Sequence, residues 1–242
     1  MRARALMLGA ADTYPKPAVR EMGTGYATRL RDRLRYIGYS ARLAAQASPA
    51  EPIACLALGA STGGINALVE LLRELPPSFD PPILVTQHLP SSFMQAFAIQ
   101  LGEAGARPGM VAVDRLPLAR GCIHLAPGNA HIRVAGDADH PHLRLDRRPA
   151  PSRCMPSVDP MFSSLGEVFG ERGVGVVLSG MGRDGLSGAA ALVAAGGTVM
   201  VQDQASSVVW GMPGAVAAAD LASGILSPRQ IAYRLLLRGA VE

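Results

Sequence analysis

Residues 53–64 read IACLALGASTGG, an apolar run that closes in a glycine-rich turn. A continuous apolar stretch of this length bounded by glycines fits a strand buried on both faces, the kind found in parallel sheets. The residues that follow agree with that reading. INALVELLREL (65–75) places apolar side chains at 65, 68, 69, 71, 72 and 75, the spacing of one helix face. PPILVTQH (81–88) predicts a second buried strand, and SSFMQAFAIQLGEAG (91–105) a second helix with Ser91 or Ser92 as its N-cap. Further on, MFSSLGEVFGER (161–172) predicts a short helix and VGVVLSG (174–180) a third strand. LSGAAALVAAG (186–196) predicts a small-residue helix, TVMVQD (198–203) a fourth strand, and SPRQIAYRLLLRG (227–239) a helix started by Ser227 and Pro228. Between 109 and 147 the pattern changes. MVAVD, CIHLAPG, HIRVA and HLRLD are short alternating runs that predict a β-hairpin region rather than βαβ units. The expected fold class is therefore α/β: a doubly wound, mostly parallel sheet with helices on both faces and a β-hairpin insertion.

Composition sets limits on what such a chain does. Of 242 residues, 49% are hydrophobic and 17% charged, which supplies a full core and excludes global disorder. Residues 1–50 carry a net charge of +6, whereas 51–242 carry −2. The body is thus near neutral, with no composition for a nucleic-acid face. Cys55, Cys122 and Cys154 are widely spaced and form no CxxC, so sequence spacing suggests neither a disulfide framework nor a zinc site. No apolar segment resembles a signal peptide, and the weakly polar run at 185–201 is too rich in alanine and glycine for a membrane span. The expectation is a cytoplasmic protein without membrane insertion.

In open parallel sheets, sites form at the carboxyl ends of the strands. Four strand ends carry Gly59-Ala60-Ser61-Thr62-Gly63-Gly64, Gln87-His88, the GMGRDG loop (180–185) with Asp184, and Gln202-Asp203. A serine, a histidine and aspartates on one sheet edge are the inventory for nucleophilic acyl transfer: imidazole takes the serine proton and a carboxylate orients the imidazole. Ser61 also opens a helix, where backbone N–H groups favour negative charge. Asp203 competes with Asp184 for the acid role. Asp184 is preferred because its glycine-flanked loop is free to reach across the cleft. The rival reading is a nucleotide cradle, but the glycine spacing is not G-x-G-x-x-G and no acid ends the second strand. His124 and His131 fall in the hairpin region as packing or surface residues. His140 and His142 sit in a polar loop, where a metal site has no support from strand context.

At these residues the sequence resembles the catalytic domain of the CheB-type chemotaxis protein-glutamate methylesterases. LGASTGG (58–64), TQHLP (86–90), HLAPGNAH (124–131), PSVDPMF (156–162), LSGMGRDG (178–185) and SSVVWGMP (206–213) recur in the family's order. The resemblance implies a Rossmann-like domain at 53–242 with a Ser61–His88–Asp184 triad, which decides the contest with Asp203. Thr62 and Met181 match positions lining the site, Met181 lending a backbone N–H to an oxyanion hole. The implied reaction is hydrolysis of glutamate γ-methyl esters, and deamidation of glutamines, on the cytoplasmic helices of methyl-accepting chemoreceptors. It requires no metal or organic cofactor. Two alternatives remain beside it: the same chemistry in a non-chemotaxis chemosensory pathway, and a non-catalytic receptor-binding module. One departure is visible: Cys154 and Met155 stand just before PSVD, where family members often carry basic residues.

RALMLGAADTYPKP (4–17) resembles the end of a response-regulator receiver domain, with Lys16 matching the lysine that contacts the phosphoryl group. The resemblance implies a truncated receiver remnant at 1–40, including a basic helix at about 19–36, and a linker at 41–52. The receiver's phospho-accepting aspartate has no match here. The expectations are basal activity without a phosphorylation switch, and a chemotaxis histidine kinase as partner only where a full receiver exists.

Overall fold

The computed structural model describes residues 51–239. The receiver-like segment, its basic helix and most of the linker lie outside the described residues.

Seven parallel strands form one sheet in the order β3-β4-β2-β1-β7-β8-β9, and β5 and β6 form a separate antiparallel hairpin. The strands are β1 (Cys55–Ala60), β2 (Ile83–Gln87), β3 (Gly109–Val111), β4 (Ile123–Leu125), β5 (His131–Ala135), β6 (His142–Asp146), β7 (Gly173–Val177), β8 (Thr198–Gln202) and β9 (Gly224–Leu226). The helices are α1 (Gly64–Glu74), α2 (Ser91–Gly105), α3 (Val158–Phe169), α4 (Leu186–Ala194), α5 (Met212–Ala218) and α6 (Pro228–Gly239). The expected α/β architecture is present. The reading of 109–147 needs one correction: the first two alternating runs hold β3 and β4, which pair in parallel within the main sheet. Only the last two runs make the hairpin.

The sheet is covered on both faces because each strand alternates its side chains between two cores. In β1, Leu56, Leu58 and Ala60 face one core together with Leu68, Leu71 and Leu72 of α1, Leu101 of α2 and Ile231 of α6. Cys55 and Ala57 face the other, with Met161, Phe162 and Leu165 of α3, Leu192 of α4, Val216 of α5 and Ile132 of the hairpin. Leu56, Leu58, Leu68, Leu71 and Leu72 are fully buried. At about 1.5–3 kcal/mol each, such side chains supply much of the drive to fold.

The register carries the fold to the site. β1 pairs with β2 on one side, with Ala60 opposite Gln87, and with β7 on the other, with Gly59 opposite Val177. The chain runs from β1 to β2 and on to β3 and β4 on one side, then returns to β7 on the other, so the crevice opens over the carboxyl ends of β1, β2 and β7. Ser61 and His88, one residue beyond paired positions, therefore stand side by side.

Candidate active site

Ser61 sits at the first turn after β1 and is held through its backbone. Its N–H donates to the Ser179 carbonyl (3.0 Å), and its carbonyl accepts from Gly64 N (2.9 Å) and Gln87 Nε2 (2.9 Å). Ser179 Oγ donates to the Thr62 carbonyl (2.8 Å). Three strands thus fix one turn. The turn demands glycine at 63, where φ is +78° and an added Cβ would lie 2.4 Å from Val208 Cβ. It also demands glycine at 180, where a Cβ would lie 2.9 Å from Ser61 Cβ, so the loop after β7 packs directly on the serine. Among the described residues, the N–H groups of Thr62 and Met181 donate to no protein acceptor.

His88 follows β2, and its N–H donates to the Ala60 carbonyl (3.2 Å). Its Nε2 lies 2.8 Å from Asp184 Oδ2. Asp184 is buried, and it accepts further bonds from Ser157 Oγ on Oδ1 (2.6 Å) and from Val158 N on Oδ2 (2.8 Å). Burial alone would raise its carboxyl, but bonds from His88, Ser157 and Val158 outweigh that and hold it below the ordinary carboxylate range. It stays ionised, which keeps Nε2 of a neutral His88 protonated and leaves Nδ1 as the nitrogen able to receive a proton. Asp159, the next buried carboxyl, shifts the other way. Its burial pushes it up; Gly188 N–H on Oδ1 (2.8 Å) opposes this, and the Asp184 charge reinforces it.

Behind Asp184 stands a support that the sequence reading missed. Ser157 N–H donates to His131 Nδ1 (2.8 Å), so His131 is the Nε2–H tautomer and donates to the Arg148 carbonyl (2.9 Å). His131 of the hairpin thereby positions Ser157, and Ser157 positions Asp184. The signal available in the sequence was the adjacency of Ser157 to α3, whose N-cap it is. Cys154 is a third residue missed: its Sγ, a ring nitrogen of His88 and a carboxylate oxygen of Asp184 all lie within 4.8 Å of one another.

Ser61, Thr62, Gly63, Ile65, Asn66, Gln87, His88 and Leu89 line an open cleft of about 450 Å³. Ser61 and His88 share this cleft, although no hydrogen bond joins their side chains among the described residues; such bonds commonly tighten only when substrate binds. Met181 stands on the loop between Gly180 and Asp184 and is 68% exposed. Asp203 is elsewhere, accepting from Ser206 N and Oγ in its own turn. His124 is fully buried in β4, and exposed His140 pairs with Asp137.

The profile of the CheB methylesterase family matches residues 56–235, which contain every residue of this cleft. The chain belongs to the CheB methylesterase family. A protein-glutamate methylesterase/protein-glutamine glutaminase of Rhodopseudomonas palustris is 38% identical, over 96% of this chain and 70% of the relative. A protein of that name "of group 2 operon" from Bradyrhizobium diazoefficiens is likewise 38% identical, with the same coverages. Among solved structures, the CheB methylesterase catalytic domain of Thermotoga maritima superposes with a TM-score of 0.73 at 30% identity, covering 76% of this chain and 97% of that one. Among the described residues, no helix is long and apolar enough to cross a membrane.

Proposed function

We propose that the CheB-family cleft hydrolyses glutamate γ-methyl esters, and deamidates glutamines, on the cytoplasmic helices of chemoreceptors. The observation that carries the reading is the ordered His88–Asp184 pair beside Ser61 at the switch point of the sheet. Ser61 Oγ attacks the side-chain carbonyl while His88 Nδ1 takes its proton. Asp184 holds Nε2–H and stabilises the imidazolium that forms. The oxyanion of the tetrahedral intermediate sits near the Thr62 and Met181 N–H groups, which donate to no other protein acceptor among the described residues. Imidazolium returns the proton to methanol or ammonia as it leaves. Water, activated by the same nitrogen, releases glutamate from the acyl-serine.

The domain assignment belongs to the same reading: a receiver-like segment at 1–40, a linker at 41–52 and the catalytic domain at 53–242. Its support is the family match within the last of these. A histidine kinase enters as partner only through a complete receiver. The name of the Bradyrhizobium relative, "of group 2 operon", favours one second reading, in which the same chemistry serves receptors of another chemosensory pathway.

Methanol release from methylated chemoreceptor membranes tests the proposal, with Ser61→Ala as the comparison. Loss of the serine lowers the rate by about 10⁶-fold. Release that persists in the variant removes Ser61 from the reaction. Release from one receptor class alone separates the two pathways.

A further inference from the structure

We propose that His88, Cys154 and Asp184 form a site for a zinc-class divalent cation whose occupancy shuts the cleft down. The three donor atoms, thiol sulfur, ring nitrogen and carboxylate oxygen, lie within 4.8 Å of one another. They come from three separate segments: the loop before α3, the end of β2 and the loop after β7. Tetrahedral Zn²⁺ takes sulfur at about 2.3 Å and imidazole or carboxylate at about 2.0–2.2 Å, so its ligands sit roughly 3.3–3.7 Å apart. The triangle here needs a contraction of at most about 1 Å at the sulfur, and the 2.8 Å between His88 Nε2 and Asp184 Oδ2 must open slightly.

The sulfur is the atom able to move. Cys154 is half-buried on a loop, and its Sγ has only a long contact with the Ser152 carbonyl (3.7 Å). The other two ligands are already oriented from behind. Ser157 Oγ and Val158 N hold Asp184 in place, the kind of outer support that metal-ligating carboxylates have. The donor set selects the ion. Thiolate with imidazole and carboxylate suits Zn²⁺ and its neighbours, not Mg²⁺ or Ca²⁺. Three protein ligands leave a fourth position open to water.

The chemical consequence is specific to the tautomer. A cation on Nε2 displaces the proton that Asp184 now accepts, and that proton passes to Nδ1. The thiol proton goes to solvent, so dication, thiolate and carboxylate leave the site neutral. His88 then carries a proton on the only nitrogen able to receive one from Ser61, and general-base catalysis stops. The cation site rests on the three ligands alone; the inhibition rests on the proposed esterase reading.

The test uses the full chain, freed of metal by a chelator and titrated with Co²⁺ and then Zn²⁺. One Co²⁺ per chain is expected, with a thiolate-to-cobalt charge-transfer absorption that Zn²⁺ erases. Cys154→Ala removes the absorption, and Zn²⁺ binds at least about 100-fold more weakly, since even outer partners of metal ligands are worth 10–100-fold. Cys154→Ser serves as a second variant with the same expected loss of the absorption. Cys122→Ala keeps it. An absorption that survives in both Cys154 variants, or no binding by the unaltered chain, overturns the site. A surface site at His140 and Asp137 offers no thiolate and gives no such absorption. In parallel, hydrolysis of a small activated ester is measured with and without Zn²⁺, each protein against its own metal-free rate. Inhibition reversed by chelator in the unaltered chain and Cys122→Ala, and lost in Cys154→Ala, supports the shut-off. Cobalt bound through Cys154 without inhibition overturns the shut-off and leaves the site standing. A chain without esterase activity would fail the functional reading, while the cobalt spectrum would still decide the site.

Discussion

The turn after β1 and the loop before α3 meet at the same histidine–aspartate pair, yet they are built differently. The first is pinned at its own backbone groups: Ser61 N donates to the Ser179 carbonyl, Ser61 O accepts from Gln87 Nε2, and Thr62 O accepts from Ser179 Oγ. The second is anchored through the His131 ring, which joins the Arg148 carbonyl to the Ser157 N–H, and through Ser157 Oγ, which donates to the buried Asp184 carboxylate. Sheet register places Ser61 and His88 side by side, while the hairpin side helps set the orientation and charge of Asp184. A substitution on the first side should abolish position. On the second it should leave position intact and detune the chemistry.

The point where the two regions meet should show the largest effect. Asp184→Asn replaces an acceptor of three bonds with a group that also presents an N–H₂. His88 then turns to the wrong tautomer, with its proton on Nδ1. The expected loss in kcat for an activated ester is about 10⁴-fold, with the fold retained by circular dichroism. A loss below tenfold would separate the pair from the reaction and leave the comparison without its common element.

Ser157→Ala breaks only the hairpin side. It keeps the backbone bond to His131 and removes the Oγ donor to Asp184, a bond to a charged group worth about 1.5–3 kcal/mol. The kcat should fall roughly 10–100-fold while KM stays within about twofold. Losing a donor also raises the Asp184 carboxyl, so the acidic limb of the kcat profile should move to higher pH. A purely structural role would lower stability through the lost N-cap without moving that limb. An unmoved limb would mean that Asp184 is set by His88 and Val158 alone.

The same division decides what was legible in the sequence. Strands β1, β2, β7 and β8 are buried on both faces, so they read as apolar runs, and Ser61, His88 and Asp184 lie where such runs end. β3 and β4 read as hairpin strands for a physical reason. β3 is a three-residue, half-buried edge strand, and His124 interrupts the apolar run of β4. Helix α5 and strand β9 went unread because seven residues that include Pro213 and Gly214, and three residues of strand, are too short to carry a period. Ser157 and His131 fall inside the quoted motifs PSVDPMF and HLAPGNAH, but no spacing in the sequence shows that they support Asp184. The Ser157–His131 and Ser157–Asp184 bonds span 26 and 27 residues, and only the folded chain brings such pairs together. Cys154 stood out only as a departure in the stretch before PSVD.

The smallest expected effect lies in the sheet itself, at His124. Its side chain is 0% exposed, and neither ring nitrogen has a hydrogen-bond partner among the described residues. Burial lowers its affinity for protons, and the nearby Ala119 backbone opposes this only in part. A base with a depressed folded pKa gives stability that is present above its unfolded value, near 6.5, and lost as pH falls below it, because the unfolded chain then binds the extra proton. The slope for one proton is at most about 1.4 kcal/mol per pH unit. Carboxylates held low in the fold, such as Asp184, act in the same sense only near and below pH 4, and the raised Asp159 acts in the opposite sense. Urea unfolding of the unaltered chain should therefore weaken from pH 7.5 to 5.5, and His124→Leu should flatten that change by about 1 kcal/mol. Equal slopes in the two proteins would mean that His124 takes up its proton within the fold, and that this sheet strand tolerates a charge that the His131–Ser157–Asp184 side is built to control.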